Sequence, residues 1–137
     1  MKKLLISSPA KINLHLQVIR KRPDGFHDIS TAFQLIDLFD ELSFEVTSGN
    51  IELEQEPCPI EDNLVLKAAR ELKEFTQTSQ GAKILLKKKI PVLKGLGGGS
   101  SNAATTLVVL NKMWEPKLSY EQLVQIGSRL GSDIPFF

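Results

Sequence analysis

The stretch Pro91-Val92-Leu93-Lys94-Gly95-Leu96-Gly97-Gly98-Gly99-Ser100-Ser101-Asn102-Ala103-Ala104 constrains this chain more than any other. Four of the five positions from Gly95 to Gly99 are glycine, so the backbone there can take φ > 0 and approach a ligand closely. Two serines and a helix-forming run follow. A helix N-terminus presents unpaired N–H donors and the positive end of its dipole. A glycine turn leading into a helix start is therefore a cradle for a phosphate group.

Three kinds of loop compete for this pattern. A plain connector rarely runs into a helix start that carries adjacent hydroxyls. A Walker A loop needs a lysine after its last glycine, and Ser100 follows Gly99. A dinucleotide fingerprint is approached by Gly95-x-Gly97-x-x-Ser100. That motif should follow the first buried parallel strand, whereas this one follows Lys87-Lys88-Lys89-Ile90-Pro91, well into the chain. A different class of phosphate loop is expected. Ser100 and Ser101 could give hydroxyls to phosphate oxygens or to a bound metal.

The 137 residues suit one domain with a real core, and 42% hydrophobic with 24% charged residues is ordinary for a soluble protein. A formal net charge of +1 implies neither nucleic acid nor an anionic membrane as partner. Cys58 is the only cysteine, which excludes an internal disulfide and a cysteine-based metal site. The apolar run Leu4-Leu5-Ile6 ends at Ser7, too short for a secretion signal, and no segment reaches the length of a membrane span. A cytoplasmic location is the expectation.

Leu4–Ile6 is a short strand broken near Pro9. From Lys11 to Val18 the pattern alternates, with Ile12, Leu14, Leu16 and Val18 on a core face and Lys11, Asn13, His15 and Gln17 on a polar one. Pro23-Asp24-Gly25 punctuates a turn, and residues 29–38 and 41–47 read as two further strands. Ser48-Gly49-Asn50 predicts a hairpin into Ile51–Leu53. The period then changes: residues 62–75 predict a helix capped by Asp62 or Asn63, with Val65, Ala68, Ala69, Leu72 and Phe75 at helical spacing. A strand over 82–90, a helix over 100–114 and a helix opened by the capping box at Ser119 and Gln122 follow. Ile134-Pro135-Phe136-Phe137 reads as strand-like. Trp114 belongs to the core stripe, and Lys87-Lys88-Lys89 is a solvated face.

At this point the chain resembles a known family. The segment from Pro91 through Gly95-Leu96-Gly97-Gly98-Gly99-Ser100-Ser101 looks like the nucleotide-binding loop of the GHMP kinases. Pro9-Ala10-Lys11-Ile12-Asn13-Leu14, Arg22-Pro23-Asp24-Gly25-Phe26-His27 and Gly131-Ser132-Asp133-Ile134-Pro135-Phe136-Phe137 are similar to three further segments of the branch that phosphorylates a cytidine-diphosphate-linked methylerythritol. Members commonly carry tyrosine where this chain has Phe26, which can still stack on a base but has no hydroxyl. Members are also longer, with a C-terminal part.

The resemblance implies an α+β fold of the ribosomal-protein-S5-domain-2-like type, with residues 1–137 forming the N-terminal, ATP-binding domain and a C-terminal domain absent. It implies ATP and Mg²⁺ as cofactors, with Pro91, Gly95, Leu96, Gly97, Gly98, Gly99, Ser100, Ser101 and, secondarily, Asn63 at the nucleotide. Asp133 would accept the proton of the substrate hydroxyl, and Lys11 beside it would stabilise developing negative charge. Asn13, Phe26 and His27 would meet the cytidine-bearing substrate. The blander alternatives are a turn-capping Asp133, a solvated Lys11 and an inert surface His27. At the level of the whole chain the rivals are a catalytically inactive remnant, another small-molecule GHMP kinase, and an S5-like RNA-binding module.

Overall fold

The computed structural model describes residues 3–25, 27–56, 63–92, 95–114 and 117–137; Phe26, Cys58 and Asp62 lie outside them. The side chains of residues 15–17 and 27–31, which include His15 and His27, are likewise outside the description. Strands β1 (Lys3–Lys21), β2 (His27–Ser48) and β3 (Ile51–Glu56) come first. Helix α1 (Leu64–Thr76), strand β4 (Gln80–Lys87), helices α2 (Gly98–Met113) and α3 (Tyr120–Leu130), and a 3-10 turn at Ile134–Phe136 complete the order. The strands form one sheet in the order β1-β2-β4-β3, mixed in direction, as the expected α+β fold requires.

Even-numbered residues of the two central strands face the helices. Leu42 stands opposite Leu86, Phe44 opposite Ile84 and Val46 opposite Ala82. The alternation of a strand thus becomes one apolar face. Against it pack Val65, Ala68, Ala69 and Leu72 of α1, and Ala103, Leu107 and Leu110 of α2, all buried. Trp114, just past α2, is also buried and donates its indole N–H to the Gly81 carbonyl at 3.1 Å, as a core tryptophan must. Asn63 caps α1 by accepting from the Val65 N–H at 2.8 Å. Ser119 and Gln122 form the expected capping box on α3.

Several expectations are corrected. The first four strand segments are two long strands. Pro9 cannot donate to the ladder, so the pairing slips instead of ending: Pro9 faces Phe39 and Ala10 faces Ile36. The turn at Ser48-Gly49-Asn50 exists, with Gly49 at φ 92°, but it is not a hairpin. Helix α1 crosses over from β3 to return β4 parallel to it, and β4 occupies the place between β2 and β3. The strand with the apolar face (Ala82, Ile84, Leu86) is central, while the glutamate-bearing β3 takes the edge. The end of the sequence is a 3-10 turn with Pro135 near its start, where a fixed φ suits the first helical turn.

The alternating face of β1 is the fourth correction. Ile12 and Leu14 were expected in the core, yet they are 37% and 62% exposed, while Lys11 is only 4% exposed. The pairing shifts between Asn13 and His15, which breaks the period. Among the described residues, the β1 side chains packed against the core cluster are Leu4 and Ile6, both before this part of the strand.

Candidate active site

Lys11 sits where β1 passes beneath the glycine loop. Its backbone N–H donates to the Leu96 carbonyl at 2.8 Å, which ties loop to strand. Gly97 takes φ 70°, the left-handed region, and a Cβ there would lie 3.0 Å from both Lys11 Cγ and Cε. Gly98 is closed off differently: a Cβ would lie 2.9 Å from Ile90 Cγ2 and 3.0 Å from Lys88 Nζ. The glycines therefore let the loop lie flat on two lysines, one at each side. Gly97 is the N-cap of α2, so the loop delivers its last residues directly into a helix N-terminus.

The Lys11 ammonium is buried but well supplied. It donates to Asn13 Oδ1 at 2.6 Å, lies 4.6 Å from the centroid of the Phe33 ring and is 3.9 Å from Asp133 Oδ2. The 3-10 turn that Asp133 opens is braced by aromatic packing. Phe33 of β2 meets Phe136 edge-on at 4.8 Å, and Phe136 meets Phe137 edge-on at 5.1 Å. Residues far apart in sequence thus bring one cation and one carboxylate together at the mouth of the loop.

Lys11 and Asp133 both line a cleft of about 360 Å³, together with Asn63, Pro91 and the run Gly95 to Ser100. Most of the residues singled out in the sequence therefore share one cavity. Ser101 does not line it: the residue is fully buried and its hydroxyl shares a 2.7 Å hydrogen bond with Ser8 Oγ, so the expectation of a phosphate-facing hydroxyl there is not met. Asn13 is exposed on the neighbouring strand surface and reaches the site through Lys11. Asn63 lines the cleft while capping α1, and its amide N–H₂ donates to Gln55 Oε1. Phe26 and the His27 side chain lie outside the described residues.

Sequence reading missed a second layer. Lys88 is not a solvated member of a lysine run. Its side chain is 8% exposed, forms an ion pair with the fully buried Asp40 at 2.5 Å, and donates to Asn102 Oδ1 at 3.0 Å. Only its flanking neighbours Lys87 and Lys89 match the solvated reading. Lys88 and Asn102 both line the cleft. Removing one partner from such a buried pair typically costs about 3–5 kcal/mol, because the other charge is stranded.

Among the described residues no cluster of three or more acidic, histidine or cysteine side chains could hold a metal by itself. Asp133 and Ser100 both line the cleft, and a carboxylate and a hydroxyl are hard oxygen donors of the kind that serve Mg²⁺ when nucleotide phosphates and water complete the shell.

The GHMP kinases N terminal domain matches residues 63–137, more than half of the chain, spanning α1, the glycine loop and Asp133. The chain belongs to the GHMP kinases. Within that family, eight curated relatives 47–51% identical to this chain share one name. A 4-diphosphocytidyl-2-C-methyl-D-erythritol kinase of Prochlorococcus marinus is 51% identical over 99% of this chain and 45% of that protein. The one of Methylococcus capsulatus is 48% identical over 98% of this chain and 47% of that protein. This GHMP kinase chain thus spans under half the length of these relatives. A crystal structure of a 4-(cytidine 5'-diphospho)-2C-methyl-D-erythritol kinase superposes with a TM-score of 0.86 at 36% identity, covering 98% of this chain and 48% of that one. The mevalonate kinase of Methanococcus jannaschii superposes with a TM-score of 0.69 at 16% identity, covering 97% of this chain and 47% of that one, a likeness of fold alone. No helix among the described residues is long and apolar enough to cross a membrane.

Proposed function

We propose that this chain is the ATP-binding part of a kinase that phosphorylates the 2-hydroxyl of 4-diphosphocytidyl-2-C-methyl-D-erythritol. The observation that carries the reading is the meeting of Lys11 and Asp133, 3.9 Å apart, on the wall of the cleft that the glycine loop also lines. The four sequence segments and the names of the relatives support the choice of substrate.

Phosphoryl transfer needs alignment and charge neutralisation more than covalent help from the protein. The loop amides and the α2 N-terminus would hold the ATP phosphates. The substrate oxygen attacks the γ-phosphorus, its bond to the β,γ-bridging oxygen breaks, and ADP leaves. The hydroxyl proton passes to the Asp133 carboxylate. Lys11 neutralises charge on the transferring group, and its burial strengthens that effect. Mg²⁺ bound with the nucleotide would offset phosphate charge, with Ser100 and Asp133 as the nearby oxygen donors. Asn13, Phe26 and His27 are proposed for the cytidine-bearing substrate, by stacking and base-edge hydrogen bonds.

The test is a coupled ADP-release assay on the full-length protein with ATP, Mg²⁺ and the cytidine substrate, beside mevalonate and homoserine as competitors for the assignment. Turnover with the cytidine substrate alone is expected. Turnover with either of the others and none with the cytidine substrate contradicts the reading. A second reading, that residues 1–137 in isolation bind nucleotide without transferring phosphate, is favoured by the exposed apolar residues Leu14, Val18 and Ile19 on β1 beyond Lys11. The same assay on the 137-residue chain distinguishes the two.

A further inference from the structure

Asp40 is not among the residues that line the cleft, yet it is fully buried. A bare carboxylate in that position would be prohibitively unfavourable, and its partners show what it holds. One oxygen, Oδ1, accepts from the backbone N–H groups of Lys89 at 2.6 Å and Ile90 at 2.8 Å. The other, Oδ2, accepts from Lys88 Nζ at 2.5 Å and from Asn102 Nδ2 at 3.0 Å. Lys88 to Ile90 are the residues by which the chain leaves β4 toward the glycine loop, and Asn102 stands in the first turns of α2, where the chain leaves the loop.

The geometry assigns Asp40 as a positioning residue for the phosphate loop: one carboxylate of β2 pins both ends of the segment between Ile90 and Asn102. The hold reaches the loop itself through Lys88, whose ammonium lies close enough to Gly98 to stand 3.0 Å from a Cβ placed there. A second strand of the same device runs from Asn102 Nδ2 to Ser8 Oγ at 3.1 Å and on to Ser101, which ties the α2 start to β1. Glycine-rich backbone is costly to order, and fixing its two ends beforehand removes part of that cost from ligand binding. That the ligand is a nucleotide phosphate rests on the function proposed above; the clamp does not.

Two variants of the full-length protein test it. Asp40→Asn keeps the volume but turns an N–H₂ toward Lys88, and Asn102→Ala leaves the Asp40 bonds to Lys88, Lys89 and Ile90 in place while removing the α2-side hold together with its links to Lys88 and Ser8. Amide exchange of residues 95–99 is measured without nucleotide against that of the α1 core, and ADP binding is measured by calorimetry. For Asp40→Asn, loop exchange is expected to rise about tenfold with α1 unchanged, and the ADP Kd to rise about tenfold, with smaller shifts for Asn102→Ala. The KM for the cytidine substrate should stay within about twofold, which a general loss of folding would not allow. A folded Asp40→Asn protein with either loop exchange or ADP affinity within about twofold of wild type overturns the assignment. If Asp40→Asn does not fold, Asn102→Ala is judged by the same two readouts. A wild-type protein that binds no ADP contradicts the proposed function instead, and the exchange readout then decides the clamp alone.

Discussion

The two halves of β1 make an instructive pair. Up to Lys11 one face of the strand lies against helix and loop: Leu4 and Ile6 pack on the core, Ala10 is fully buried, and Lys11 is covered although it is charged. Leu5, on the other face, is exposed. Beyond Lys11 the same strand carries Ile12, Leu14, Val18 and Ile19 into solvent, paired among the described residues with β2 alone. Residue type does not separate the halves, because the more apolar one is the more exposed. Periodicity settles which face of a strand a residue is on; burial depends on whether another layer covers that face. In the first half a charged residue is buried because Asn13, Phe33 and Asp133 meet its ammonium. A buried cation with such partners is a feature of chemistry, and an exposed leucine without a covering layer is not.

Four substitutions probe the contrast, in decreasing order of effect. Lys11→Met keeps the stem and removes the charge. In the full-length protein it should lower kcat by about 10²–10⁴ while the fold survives, measured by steady-state kinetics and thermal melting. Phe44→Ala, in the layer beneath the site, should lower the unfolding free energy of this domain by about 3–5 kcal/mol in a denaturant titration. Gly97→Ala forces a Cβ into the left-handed region and against Lys11, so the ADP Kd should rise about tenfold, the equivalent of roughly 1–2 kcal/mol. Leu14→Ala, on the uncovered half of β1, should change the stability of the 137-residue chain by no more than about 0.5 kcal/mol. A loss of several kcal/mol from Leu14→Ala in that chain would break the comparison, since it would mean that the exposed half is packed in solution.

Much of this was legible in the sequence because it is local. Gly97 through Ser100 announce a turn into a helix, Asn63 and Ser119 announce caps, and the spacing of Val65, Ala68, Ala69 and Leu72 announces a face. The Lys11–Asp133 meeting was legible only through the resemblance, since 122 residues of separation (133 − 11) carry no local signal. What escaped was non-local or locally misleading. Asp40 follows Phe39 and precedes Glu41 between two strand patterns, where an aspartate reads as a break. Lys88 lies in a triple lysine and reads as solvated, although alternation puts its side chain on the opposite face from Lys87 and Lys89. The place of β4 between β2 and β3 depends on a crossover that no turn dipeptide encodes. The 3-10 turn after Asp133 depends on Phe33 and Ile134 finding partners in other elements.

Participation of the carboxylate facing Lys11 in phosphoryl transfer is the step on which the proposed reaction turns. It is tested most directly by transfer of the labelled γ-phosphate of ATP to the cytidine substrate in full-length wild type and Asp133→Asn, with ADP binding measured on both. Transfer lower by about 10²–10⁴ with the ADP Kd unchanged is the predicted result. Transfer by Asp133→Asn at the wild-type rate would contradict it.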